Sequence, residues 1–312
     1  MDRPEAPPAV LVEGLSRRYG DGERAVQALD DVTLTVSARA TGLLGANGAG
    51  KSTLMRMLLG VDRPDRGRVR VLGVDLARDP AGVRRRVGWM PEHPCLPSDL
   101  SAQEMCVLTA RLRGLSRRDA RRRASEVLFA VGLAEERRRP VDTYSLGMRQ
   151  RATLAQALVH GPELVVLDEP TSGLDPAGRA EMLTVVRRLS ADLGVRVLLS
   201  SHVLDDVERT CDEVVVLAAG RVVARRAVLT GGPRPVVLRV DGDLAGVAAD
   251  LSARGVDVAP SGDGGAVLAR PDDATLTAVR DVVAARGVAV LRLAPEGDAL
   301  EEAVVGAMES RR

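Results

Sequence analysis

The run Gly45-Ala46-Asn47-Gly48-Ala49-Gly50-Lys51-Ser52 constrains this chain more than any other. It satisfies G-x-x-x-x-G-K-[ST] at every fixed position. Such a loop needs a strand before it and a helix after it. The apolar residues 42–44 and the apolar segment 52–60 supply both. Glycines let the backbone turn tightly and aim its N–H groups at phosphate oxygens. The helix start adds positive potential. Lys51 is placed to reach β- and γ-phosphates, and the Ser52 hydroxyl to ligate Mg2+. Of 44 basic residues only Lys51 is lysine, and Asn47 is the only asparagine. The chain has no isoleucine, which reads as a GC-biased coding sequence. The rarity of lysine makes a chance match to the loop pattern less expected still.

A second cluster lies 117 positions after Lys51. Leu164-Val165-Val166-Leu167-Asp168-Glu169-Pro170 is an apolar strand ending in two acids. Asp168 at the strand tip suits the magnesium shell of a phosphate-loop enzyme. Glu169, one residue on, is placed to polarise an attacking water. Alone, an Asp-Glu pair after a strand reads equally well as a solvated turn; the phosphate loop tips the reading toward chemistry.

At roughly 150 residues per domain, 312 residues suggest two domains. Residues 9–229 alternate short β-like runs (42–44, 69–72, 164–167, 195–199, 214–217) with helical stretches, which predicts an α/β domain with a largely parallel sheet. A helix-rich subdomain is expected at about 94–140, with Ser101 and Glu104 forming a capping box and Ser116 capping the next helix. The turn-rich segment 230–235 marks the boundary. Residues 233–312 read as a small α+β domain in β-α-β-β-α-β order, the ferredoxin-like pattern, followed by a last helix at 299–308.

The order of further motifs resembles the ATP-binding cassette of ABC transporters. Tyr144-Ser145-Leu146-Gly147-Met148-Arg149-Gln150 is similar to that family's signature segment, written LSGGQ. Ser172-Gly173-Leu174-Asp175-Pro176 is similar to its D-loop, and Ser200-Ser201-His202 to its switch histidine. The resemblance covers about 220 residues and implies an ATP-hydrolysing subunit. It implies that ATP is bound by Gly45, Ala46, Asn47, Gly48, Ala49, Gly50, Lys51, Ser52 and Thr53, with Tyr19 stacked on adenine. Ser145, Gly147 and Asp175 of one chain would face the nucleotide of a second, so that two cassettes close around two ATP molecules. Glu169, His202 and Lys51 would carry the hydrolysis, with Mg2+ held by Ser52, Asp168 and Glu92. Glu92 stands where the family often has glutamine, as in its drug- and antibiotic-exporter branch. Leu146 and Met148 also depart from the signature. The expected partners are membrane permease subunits and a second cassette, with the chain peripheral on the cytoplasmic face of the membrane. The expected cargo is a drug-like, antibiotic or lipophilic compound.

Composition narrows the alternatives. The net charge is +1, and four aromatics (Tyr19, Trp89, Phe129, Tyr144) leave almost nothing on which to stack bases, so no nucleic-acid partner is expected. The longest apolar run, 214–219, is six residues against about 18 for a bilayer-spanning helix. Residues 84–139 carry +6, read either as a solvated helix face or as a face near anionic lipid; residues 233–312 carry −4. Cys95, Cys106 and Cys211 are unclustered and imply no disulfide framework. His93 and Cys95 lack the further ligand pair that a metal site needs. A translation-type cassette protein would carry two cassettes with basic linkers. A chromosome-maintenance ATPase would insert a long coiled coil between Lys51 and Asp168. A non-hydrolysing regulatory partner stays open because of Glu92 and Leu146.

Overall fold

The computed structural model describes residues 7–22, 25–93, 95–228, 236–261, 264–268 and 271–295. The boundary segment 230–235 and the last expected helix, 299–308, lie outside them. The chain divides into two compact units, which among the described residues cover 7–228 and 236–295.

In the first unit, β1 (Val10–Tyr19) and β2 (Val26–Val36) precede β3 (Ala40–Leu44), the loop and α1 (Lys51–Leu58). Then come β4 (Arg66–Val71), β5 (Val74–Asp75), α2 (Pro80–Arg86) and β6 (Val87–Met90). Helices α3 (Ala102–Leu112), α4 (Arg117–Ala130) and α5 (Leu146–Leu158) follow. The rest is β7 (Leu164–Leu167), α6 (Pro176–Ala191), β8 (Arg196–Ser201), α7 (Leu204–Thr210), β9 (Glu213–Ala218) and β10 (Arg221–Ala227).

The main sheet runs β10-β9-β3-β8-β7-β6. Its inner pairings are parallel, and β10 is an antiparallel edge. Strands β3 and β7 are buried at every position, as expected for parallel strands covered on both faces. The expectation of a largely parallel sheet omits a second, four-stranded antiparallel sheet, β2-β1-β4-β5, and the run read at 69–72 belongs to it. Register shifts between Val12 and Arg18 break the two-residue alternation that would have marked β1 as a strand. Both sheets and α1 share one apolar core: Val10, Leu15 and Leu29 from the antiparallel sheet, Leu43, Val166 and Leu198 from the parallel one, Leu54 and Met57 from α1.

The helices begin where their caps dictate. The Ser101 side chain accepts from Glu104 N–H while the Glu104 carboxylate accepts from Ser101 N–H at 2.9 Å, satisfying two helix-end donors reciprocally. Ser116 caps α4 at Asp119 N–H. Cys106 and Cys211 are buried, and burial pushes both thiols up to about 12.

The second unit runs β11 (Val236–Asp241), α8 (Leu244–Ala253), β12 (Val258–Pro260), β13 (Ala266–Leu268), α9 (Asp273–Arg286) and β14 (Ala289–Pro295). Its antiparallel sheet has the order β12-β13-β11-β14. Leu238, Val247, Leu251, Leu268, Val279 and Val282 form its core.

His160 follows α5, with Nε2 3.3 Å from the Val87 carbonyl and Nδ1 buried without a hydrogen bond. Burial, then the charge of Arg113, holds its pKa down to about 4. The unfolded chain, with an ordinary histidine near 6.5, binds more protons across the interval between those values. Stability is therefore lost as pH falls from about 6.5 to about 4, because charging the imidazole favours unfolding. His160→Gln is expected to flatten that part of the stability curve, measured as the urea midpoint at half-unit pH steps.

Candidate functional site

The site lies at the carboxyl ends of β3, β8 and β7, which stand side by side in that order. Strand β3 delivers the loop. Gly50 adopts φ 107°, and a Cβ there would stand 2.5 Å from the Ala28 carbonyl, so only glycine fits. A Cβ on Gly45 would collide with the Leu217 carbonyl. These positions let the loop backbone wrap closely over the start of α1.

Lys51, 5% exposed, folds back over the loop. Its ammonium donates to the Gly45 carbonyl at 2.6 Å and the Ala46 carbonyl at 3.3 Å. It also stands 3.2 Å from Glu169 Oε1, an ion pair without hydrogen-bond geometry, since that buried oxygen has no hydrogen-bond partner. The other carboxylate oxygen, Glu169 Oε2, is 2.9 Å from His202 Nδ1. His202 is half exposed (49%) whereas the Glu169 side chain is 7% exposed. The carboxylate is thus held between a buried ammonium and an imidazole that faces solvent.

Asp168 sits beside this pair. Its backbone N–H donates to the Met90 carbonyl at 2.9 Å. Its Oδ1 accepts from the Ser52 hydroxyl at 3.2 Å and the Ser200 hydroxyl at 2.7 Å. Glu169 has φ 45°, a left-handed backbone that costs a non-glycine residue roughly 1–3 kcal/mol.

The structure brings Lys51, Ser52, Asp168, Glu169 and His202 together. It does not tie in Glu92. Among the described residues no hydrogen bond or ion pair links Glu92 to Ser52 or Asp168, and its carboxylate lies 4.0 Å from His93 Nδ1. Glu92 follows β6 by two residues on a half-buried connection, beyond the last strand pairing. Among the described residues, no group of three or more His, Cys, Asp or Glu forms a metal cage.

Tyr19 ends β1. Its hydroxyl donates to Asp62 at 2.6 Å, and Arg56 reaches the same carboxylate at 3.0 Å. The tyrosine hydrogen bond first, then Arg56, hold the Asp62 pKa below its ordinary value despite partial burial. The Arg17 guanidinium covers one ring face, 4.7 Å from the centroid. Tyr19 is therefore clamped, with one face already taken by a cation.

The signature segment stands on other elements. Ser145 is exposed and caps α5, accepting from Met148 N–H at 3.3 Å. Leu146 lies over Gly173, where a Cβ would approach its Cδ2 to 3.1 Å, so the leucine replacing glycine fills the space beside the next loop. Gln150, buried, donates from Nε2 to the Ser172 carbonyl at 2.7 Å and links the signature helix to that loop. Asp175 caps α6 at Gly178 N–H, 3.2 Å away. The polar contacts of Ser145 and Asp175 are thus to their own helix starts.

Sequence reasoning missed Ser200, Thr171, Arg179 and Asp206. Asp206 is 1% exposed, accepting from Thr171 at 2.7 Å and Arg179 at 2.6 Å. That network anchors α7, which follows His202. The available signal was polarity out of place: two serines end the apolar strand β8, and an Asp pair opens α7.

Strand–loop–helix, a clamped lysine and two consecutive acids at the end of a nearby strand define a nucleotide-triphosphate hydrolase of the phosphate-loop class. Comparison with known proteins makes the assignment specific. Residues 29–172 match the family described as ABC transporter. The chain is 43% identical over 258 residues to the daunorubicin resistance ATP-binding protein DrrA3 of Streptomyces coeruleorubidus, covering 80% of each. It is 42% identical over 217 residues to the daunorubicin/doxorubicin resistance ATP-binding protein DrrA of Streptomyces peucetius, covering 69% of this chain and 64% of that one. A dimeric post-hydrolysis structure of the ATP-binding cassette MJ0796 with ADP and Pi superposes with a TM-score of 0.65 at 23% identity, over 71% of this chain and all of that one. The chain belongs to the ABC transporter family, as an ATP-binding, ATPase subunit.

Removing the lysine leaves a buried carboxylate with one fewer counter-charge. Lys51→Met is expected to destabilise the protein by on the order of 3 kcal/mol. Adding Glu169→Gln to that variant should restore much of the loss, read by urea unfolding of both.

Proposed function

We propose that this chain hydrolyses ATP within a pair of cassettes and so drives export of a drug-like, antibiotic or lipophilic compound through separate permease subunits. One observation carries the hydrolytic part: a buried Glu169 carboxylate fixed between Lys51 and His202, one residue from the Asp168–Ser52 pair. The names of the two resistance relatives support the cargo class. Among the described residues no helix is long and apolar enough to cross a membrane, so the pathway is assigned to other subunits.

In this reading the nucleotide enters along the loop. Lys51 exchanges the Gly45 and Ala46 carbonyls for β- and γ-phosphate oxygens, and the loop N–H groups and the start of α1 complete the cradle. Tyr19 offers its uncovered face to the adenine. Glu169, released from the ammonium, orients a water in line with the γ-phosphate, and His202 holds that water and the phosphate. The donor set fits Mg2+: one hydroxyl (Ser52) and one carboxylate (Asp168), leaving the remaining positions to water and phosphate. Bound there, Mg2+ would neutralise charge on the β- and γ-phosphates. Glu92, two residues beyond Met90, whose carbonyl accepts from the Asp168 N–H, is the further carboxylate offered to this set.

Ser145 and Gly147 open α5 toward solvent and present a helix start able to receive an anion. A second chain, head to tail, supplies the γ-phosphate, and Asp175 lies at the junction. Closing two cassettes moves the region 94–140, which passes the motion to the permease from the inner face of the membrane. The acidic second unit is assigned to holding that assembly, either cassette to cassette or cassette to permease.

Glu169→Gln is the test. ATP hydrolysis should fall at least about 100-fold with ATP binding retained, since the group lost acts in the transition state. A tagged Glu169→Gln chain trapped with ATP in native membranes should purify with a stoichiometric multi-helix protein. Recovery with ribosomes, DNA or a soluble protein instead would overturn the transport reading.

A further inference from the structure

Strand β8 lies between the loop strand β3 and the acid strand β7, with Ser200 paired to Leu43 and Leu199 paired to Leu167. The residue that follows β7 is Asp168. Ser200 is fully buried (0% exposed), in a strand whose neighbouring positions are Val197, Leu198 and Leu199. A hydroxyl there is costly unless both its donor and its acceptor are used. Both are. The Ser200 O–H donates to Asp168 Oδ1 at 2.7 Å, and its oxygen accepts from the Glu169 N–H at 2.8 Å.

These bonds join two carboxylate residues with different tasks. The N–H that Ser200 receives belongs to the left-handed residue, so the bond holds a backbone conformation that Glu169 does not adopt by preference. The oxygen to which it donates is the one that Ser52 also approaches, at 3.2 Å. A continuous chain therefore runs from the Glu169 peptide through the Ser200 hydroxyl and the Asp168 carboxylate to Ser52.

We infer that Ser200 is a positioning residue for ATP hydrolysis: its hydroxyl sets the rotamer of Asp168 and the peptide of Glu169 together, so that metal ligand and water-orienting carboxylate keep one register. The inference rests on the ATPase reading. Ser200 touches neither nucleotide nor water; it acts through the two acids. Alanine removes the donor and the acceptor and leaves the Asp168 carboxylate held, among the described residues, only by the longer bond from Ser52. Threonine keeps both.

The experiment uses the full chain as wild type, Ser200→Ala, Ser200→Thr and Glu169→Gln. For Ser200→Ala, kcat should fall about 10- to 100-fold, the usual cost of losing a partner that orients a metal ligand. The KM for ATP should stay within about twofold, as expected when only transition-state geometry is lost. Binding of a fluorescent ATP analogue in EDTA should also stay within about twofold, while the Mg2+ concentration that half-saturates its metal-dependent binding rises about tenfold. Ser200→Thr should return kcat to within about threefold of wild type. A merely structural serine predicts the opposite split, with analogue binding in EDTA falling in step with kcat. That split overturns the inference, as does Ser200→Ala at wild-type kcat or Ser200→Thr no better than alanine. If Ser200→Ala does not fold, Ser200→Cys, of similar size and a weak donor, takes its place against threonine. If wild type shows no hydrolysis that Glu169→Gln abolishes, the ATPase reading falls and this inference with it. If that control succeeds and Ser200→Ala matches wild type, this inference alone falls.

Discussion

The buried approach of Lys51 to Glu169 governs the arrangement of everything around it. Two opposite charges, each almost fully removed from water, stand 3.2 Å apart at the ends of parallel strands. Such a pair contributes little net stability, because desolvation offsets much of the attraction. Its persistence points to use rather than to stability. The ammonium donates to two loop carbonyls and meets the carboxylate as an ion pair alone. A phosphate can take the place of those acceptors at small electrostatic cost, since it is itself an anion. In the proposed function, arrival of the nucleotide would thereby free Glu169 to meet water.

The apolar architecture makes that exchange local. Strands β3, β7 and β8 are nearly uniformly buried, so the sheet cannot shift register without exposing core residues. Their carboxyl ends are fixed to each other, and only side chains and the loop respond. The second sheet and α1 share the same core, which connects the Tyr19 clamp to the phosphate loop through packed side chains. The signature helix is separately tied, through Gln150, to the loop that carries Asp175. Two groups of contacts thus exist in one chain, one around the phosphate loop and one at the exposed start of α5.

The sequence made the first group legible because its chemistry is contiguous. Glycines and lysine in one loop, and two acids after an apolar run, are local patterns with a local physical cause. The reading of Glu92 as a metal ligand rested on family position alone; the end of β6 bonds to Asp168 through Met90, and among the described residues no hydrogen bond joins the Glu92 carboxylate itself to Asp168. Ser200 and Asp206 left only a faint local signal, polarity at the end of apolar β8 and at the start of α7. Each is an ordinary polar residue near an element end, and its meaning comes from partners about 30 positions away in the chain. The antiparallel sheet escaped notice because β1 is interrupted by bulges, so its side chains do not keep a two-residue period.

What the sequence determined by itself was the class of chemistry: a phosphate cradle, an acid pair on a strand end, and caps that start α3, α4 and α5 at Ser101, Ser116 and Ser145. Each follows from backbone and side-chain groups within a few residues of one another. The tertiary structure alone decided strand order, and with it the meeting of Lys51, Asp168, Glu169, Ser200 and His202. Those residues lie at or just beyond the ends of three strands, spread over about 150 positions, and no local rule fixes which strands become neighbours. Burial of apolar faces selects that order, and the polar contacts at the strand ends then take the geometry it leaves them.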